Sequence, residues 1–351
     1  MNANTMMRKL LVAMSAMLAG LNIAGCPVAD PKDVENPAQN NPEPQPAPPA
    51  PAPKPALFVA NNLGAITSYE SPAALNGNIA PNINLSGGQT QLAVPYDVLV
   101  NSAEQLFAIN AGANSVSIYN NARQANGNLE PTRNIAGAAT GLVTPTAAEI
   151  DARNDSLLVA NFGAPTSITI YSGASTNAAR GNLAAIRRIS SNDLNQAFGL
   201  SIDDAGTLYV GNYGVASIAV FDDAANRNGT IAADRVITSP AFAGARIHDV
   251  FVNAADTLFV VLSTNKVVVF GGASALNGSV MPDSTLTVSG AAALYGIAVD
   301  SAGVGYLADL SGNAILVFDD ISTANGTFSP DRTIKGADTQ LRSPIRLTIV
   351  E

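Results

Sequence analysis

The sequence predicts an all-β protein, a six-bladed β-propeller of four-stranded blades, and three observations carry that expectation. One strand motif recurs six times, with starts 49, 51, 51, 50 and 47 residues apart. Each repeat holds four strand-like runs, the plan of a propeller blade. The two ends of the repetitive region, residues 57–351, are complementary fragments of a single repeat, as ring closure requires.

The first run of each repeat reads LFVAN (57–61), LFAIN (106–110), LLVAN (157–161), LYVGN (208–212), LFVVL (258–262) and GYLAD (305–309). A second apolar run ends in an aromatic: Tyr69, Tyr119, Tyr171, Phe221, Phe270 or Phe318. A loop closes on Asn-Gly at 76–77, 126–127, 228–229, 277–278 and 325–326, and on Arg180-Gly181 in the third repeat. Both residue types tolerate the positive φ of a tight turn. A third run ends at Leu85, Ile135, Ile189, Ile237, Leu286 and Ile334, with Arg133, Arg187, Arg235 and Arg332 just before it in four repeats. These arginines are expected to serve the repeat, by pairing with a neighbouring Asp or lying across apolar surface, rather than to form a ring of anion contacts.

The fourth run alternates as a half-buried strand does: YDVLVN (96–101), AAEID (147–151), FGLSID (198–203), HDVFVN (248–253), YGIAVD (295–300) and PIRLTIV (344–350). Five of the six end in Asn or Asp: Asn101, Asp151, Asp203, Asn253 and Asp300. A short turn follows each, so these Asx residues read as turn formers that accept backbone N–H groups rather than as metal ligands. The region begins at the first run and ends with a surplus fourth run, which can complete the blade begun by residues 57–85.

The segments FGLSIDDAGTLYVGNYGVASIAVFDD (198–223) and YGIAVDSAGVGYLADLSGNAILVFDD (295–320) resemble the NHL repeat, whose pattern runs GIAVD, LYVAD, then a strand ending in VFD. The stretch FDDISTANGTFSPDRTIKG (318–336) resembles repeats found in bacterial lipoproteins. The resemblance implies the propeller architecture; a fold by itself does not imply an activity.

The N-terminal region reads as an address. Arg8 and Lys9 precede an apolar run from Leu10 to Ile23, and Ile23-Ala24-Gly25-Cys26 follows. This is the layout of a secretory signal peptide over residues 1–25, too short for a comfortable membrane span. IAGC resembles the bacterial lipobox, which implies cleavage before Cys26 and its lipidation; Cys26 is the only cysteine in the chain. Pro27, not Asp, follows it, which by resemblance to enterobacterial sorting implies the outer membrane. Eleven of the 21 prolines fall in residues 27–56. That segment, the linker of the 26–56 region, is expected to be an extended polyproline spacer of up to roughly 90 Å.

Composition excludes other classes. Eighteen Lys and Arg against 27 Asp and Glu give a net charge of −9, and −11 once residues 1–25 are removed, so a nucleic-acid partner is not expected. Charged residues are 13% of the chain, about half the usual share. One His, one Cys and no Trp leave no Cys/His zinc site. Phosphate loops, nucleophile elbows and HExxH are absent from the sequence.

In propellers of this kind the fourth run lines a central channel. Residues near its start form the best ionisable cluster in the chain: Asp97, His248, Asp249 and Arg346, with Glu149 slightly further along. Asp97 and Asp249 are expected to face each other across the axis, with Arg346 neutralising one or both. The leading expectation is a monomeric, non-catalytic binding scaffold without cofactor, held to the membrane by lipid on Cys26 and docking an envelope protein or polymer. The alternative comes from distant architectural resemblance to regucalcin and the gluconolactonases. It implies a divalent-metal-dependent hydrolase or lactonase, with calcium held by Asp97, Glu149 and Asp249. Propeller lyases imply several histidines, and this chain has His248 alone.

Overall fold

The computed structural model describes residues 53–351. The residues expected to form a signal peptide, a lipobox with Cys26 and a linker, through residue 52, lie outside the described residues. Alternating and continuous apolar runs become antiparallel strands because an extended chain buries one face or both according to its neighbours. Here both faces of most strands are covered, since each sheet packs between two others. The second strand of each blade is therefore buried along its length, as in Ala56–Asn61 and Leu106–Asn110, except for half-buried Thr257 in blade 5.

There are six sheets, one per blade, and no α-helix among the described residues. The fourth run of each repeat is the innermost strand of the next blade. These inner strands are Pro344–Val350 in blade 1, then Pro95–Val100, Pro145–Asp151, Ala197–Ile202, Ile247–Val252 and Leu294–Val299 in blades 2 to 6. In blade 1 the C-terminal strand pairs with Ala56–Asn61, matching Leu57 to Ile349 and Ala60 to Arg346. The first strand begins at Ala56, and it shares a sheet with the C-terminal strand as expected.

The Asn-Gly loops do something the repeat alone did not reveal. They are not hairpin turns inside a blade. Each lays its glycine beside the outermost strand of the preceding blade in parallel pairing: Gly77 on Ile334, Gly127 on Leu85, Gly181 on Ile135, Gly229 on Ile189, Gly278 on Ile237 and Gly326 on Leu286. Three of the six sheets thereby gain a short fifth strand, a correction to four strands throughout. The Asn side chain adds a bond to the same neighbour: Asn126 accepts the N–H of Asn84 at 2.9 Å, and Asn228 that of Arg188 at 3.0 Å. Positive φ at each glycine, 70° at Gly127 for example, turns the loop back. All six blade interfaces carry this clasp.

The recurring arginines act at the same seams. Arg133 donates to the carbonyls of Ala174 and Thr176, and Arg187 to that of Ala225, each in the following blade. Arg235 reaches both Ser274 O and Asp222, and Arg332 pairs with Asp319. The expected structural role holds, and capping of the next blade's carbonyls is part of it. The Asx residues ending the inner strands accept turn N–H groups as expected, Asp203 from Thr207 and Asp300 from Val304, both at 2.8 Å.

Candidate functional site: the axial channel and its two ends

Inner strands approach so closely that the ring nearest their starts holds small residues between large ones. In blade order from blade 2 it reads Asp97, Ala147, Gly199, Asp249, Gly296, Arg346. A Cβ on Gly296 would stand 2.6 Å from Ile345 O and 2.8 Å from Arg346 Cα, so the YG and FG dipeptides are set by backbone packing between blades.

Asp97 and Asp249 occupy equivalent places in opposite blades, and both line an axial cavity of about 200 Å³ together with Glu149 and Arg346. Each aspartate bolts its blade to the next. Asp97 accepts the N–H of Val98 at 2.8 Å and, from the neighbouring blade, that of Ala148 at 2.9 Å. Asp249 accepts those of Val250 at 3.0 Å and Ile297 at 3.1 Å. Arg346 crosses from blade 1 to bond Asp249 Oδ1 at 2.6 Å, Phe198 O at 2.7 Å and His248 O at 2.8 Å, spending its guanidinium on two other blades. It is an ion-pair partner to Asp249 and only a nearby charge to Asp97.

Burial dominates the titration of these acids. It pushes Asp97 up to about 7 and Asp249 up to about 6, with Arg346 opposing in both cases. Glu149 belongs to the next ring down the axis. Burial first, then the charges of Asp97 and Asp249, hold its carboxyl well above the usual range. No ion pair reaches it among the described residues, and the donor beside it is the N–H of Ile150. His248 is separate from the acids. It sits at the upper end, the end where the inner strands start, with Nδ1 2.6 Å from Leu294 O. A carbonyl only accepts, so Nδ1 carries the proton. Burial lowers the imidazole's pKa, favouring the neutral ring.

His248 is part of an aromatic mouth that the sequence reading touched only in part. It stacks on Tyr295 at 4.1 Å between centroids and on Tyr213 at 5.9 Å. Phe198 lies at the centre, within 5.1–6.2 Å of Tyr96, Phe162, Tyr213, His248 and Tyr295. Arg246 lies over the Tyr213 ring at 4.6 Å. Phe162 and Tyr213 were missed. Their signal was available: each is an aromatic directly following the Asn that ends a first run.

The upper face extends this character. Its twelve loops contain four charged residues, Asp193, Arg246, Asp338 and Arg342, which sum to zero. Leu63 is 72% exposed there and Val215 53%, and Val94 and Val143 are also exposed. The opposite, lower face is acidic, with Asp203, Asp204, Asp222 and Asp223 among its loops. The chain enters at that lower end, where Ala56 pairs with Val350.

The donor set does not suit a divalent ion. The aspartate oxygens are taken by N–H groups and Arg346, and no three His, Cys, Asp or Glu side chains converge among the described residues.

No protein-family model matches the chain, and no curated protein matches it in sequence. Solved structures do match in fold. One is a chain of a nidogen/laminin complex, with 12% identity, a TM-score of 0.58, and coverage of 85% of this chain and 98% of that one. Another is a protein of unknown function from Bacteroides caccae, with 9% identity, a TM-score of 0.56, and coverage of 85% and 99%. This chain shares their six-bladed propeller fold.

Proposed function

We propose that this protein is a lipid-anchored envelope lipoprotein whose NHL-like propeller docks an envelope protein on its upper face and performs no chemistry. The upper face is the observation that carries this reading: loops with no net charge, exposed Leu63 and Val215, and a ring of aromatic side chains around one mouth. Exposed apolar side chains on a face of low charge are a mark of interaction surfaces, and tyrosines with arginine are the residue types that anchor them. The chain enters at the opposite end, which leaves the upper face clear of the tether's attachment point. A nidogen/laminin complex supplies a propeller of this fold in a protein–protein assembly. The lipobox-like IAGC and the proline-rich spacer supply the anchor and the reach. Hydrolysis through a divalent ion is disfavoured because Asp97 and Asp249 are committed to holding blades together.

The test is crosslinking of the lipidated full-length protein in its native envelope, comparing wild type with Leu63→Glu and Val215→Glu. Both sites are exposed, so melting should stay within about 0.5 kcal/mol of wild type. The reading expects one crosslinked protein product that both substitutions abolish, and a Cys26→Ser chain recovered in the soluble fraction. Unchanged crosslinks in both variants would sink it. So would lactone or ester turnover that disappears in Asp249→Ala.

A further inference from the structure

At the lower end of the axis a second cavity, of about 460 Å³, opens between blades 1, 2 and 3. Leu99, Val100 and Ile150 supply half-buried apolar walls, and Asp155 stands among its lining residues. Glu149, Leu99 and Thr348 also line the axial cavity, so the two spaces meet at Glu149. The size suits a small organic ligand.

The charges around that junction do not balance. Asp97, Asp249 and Glu149 are three acids against the single guanidinium of Arg346. Arg346 is turned toward Asp249 and two carbonyls near the upper end, and the oxygens of both aspartates are occupied. Asp155 is held by the N–H and hydroxyl of Ser175 at 2.8 and 2.9 Å. Glu149 is left with no countercharge, beside apolar walls and open space. A half-buried carboxylate open to a cavity with apolar walls attracts a proton or a cation. The surrounding loops of the lower face are acidic and raise the local concentration of cations. A bare metal ion lacks converging ligands here, whereas an ammonium needs one carboxylate and an apolar resting place for its body.

We propose that the lower cavity binds a small organic ammonium, its cation paired to Glu149 and its apolar body against Leu99, Val100 and Ile150. This site lies away from the upper face and is independent of the docking reading given above. The hydroxyl of Thr348, at the junction, is the second acceptor.

The probe is benzylammonium chloride, titrated into the full-length lipidated protein in micelles, with methyl NMR shifts of Leu99, Val100 and Ile150 as readout. Benzyl alcohol serves as the neutral isostere and calcium chloride as the competing ion. The expected result is saturation in the millimolar range or tighter, with benzyl alcohol at least tenfold weaker and calcium without effect on those methyls. Glu149→Gln should weaken benzylammonium at least tenfold while retaining or raising the melting temperature. Wild-type affinity should also weaken as the pH is lowered, because Glu149, in the field of Asp97, Asp249, Arg346 and Asp155, then takes up a proton while the probe stays charged. The proposal is overturned if no saturation appears below about 50 mM, if the alcohol binds equally, if affinity ignores pH or Glu149→Gln, or if calcium moves the same methyls.

Discussion

Arg346 shows how much one side chain decides. It is buried, pairs with Asp249, and satisfies two carbonyls from different blades. Removing one partner of such a pair leaves an uncompensated charge, which typically costs about 3–5 kcal/mol. Arg346→Met should therefore lower unfolding stability by roughly that amount at pH 8 in urea melts. At pH 5 the loss should shrink, because Asp249 then carries a proton and only the carbonyls of Phe198 and His248 remain unsatisfied. An equal loss at both pH values would show that the carboxylate is not the source. The sequence placed Asp97, Asp249 and Arg346 around one axis. It did not show that Arg346 serves Asp249 rather than Asp97, since their one-residue neighbourhoods are alike. The choice depends on reach across the ring between residues 97 positions apart.

At the scale of elements, the propeller is held by seams. Each blade is a meander whose local pairing was legible from alternation and from the aromatic that ends each third strand. The seams were less legible. An Asn-Gly dipeptide signals a positive φ, and a hairpin is its commonest use; here the same dipeptide reaches sideways to the preceding blade. No periodic pattern distinguishes these uses, because both need the same backbone conformation. The ring is closed within blade 1, where the C-terminal strand covers Ala56–Asn61. A chain ending at Ser343 would expose Leu57, Phe58 and Val59 on an unpaired edge. Such a truncation should lose the single cooperative melt and populate aggregates, as read by circular dichroism and light scattering. A truncated protein that melts as sharply as the full chain would show that ring closure contributes little.

For the whole molecule, the channel acids set the pH dependence. Asp97, Asp249 and Glu149 all have pKa values above the ordinary carboxylate range when folded. A raised carboxylate pKa means that the folded state binds protons more tightly than the unfolded chain. The resulting stability is present near pH 4–5 and is lost as pH rises through about 6 and 7. His248, with its lowered pKa, acts in the opposite sense below its ordinary range, but it is one group against three. The domain should therefore be more stable at pH 5 than at pH 8, by roughly 2–4 kcal/mol. Glu149→Gln should flatten that slope. A melting temperature that climbs from pH 5 to pH 8 would contradict the burial of these acids. The sequence by itself determined the blade count, the strand order and the shared closing blade, because these follow from a motif repeated at fixed spacing and from chain ends that complete each other. Only the tertiary structure decided which acid is left without an ion pair, where the face of zero net loop charge lies, and that Phe162 and Tyr213 join His248 at one mouth. Those outcomes depend on distances across the ring between unlike repeats, and a repeat pattern carries no information about the residues that break it.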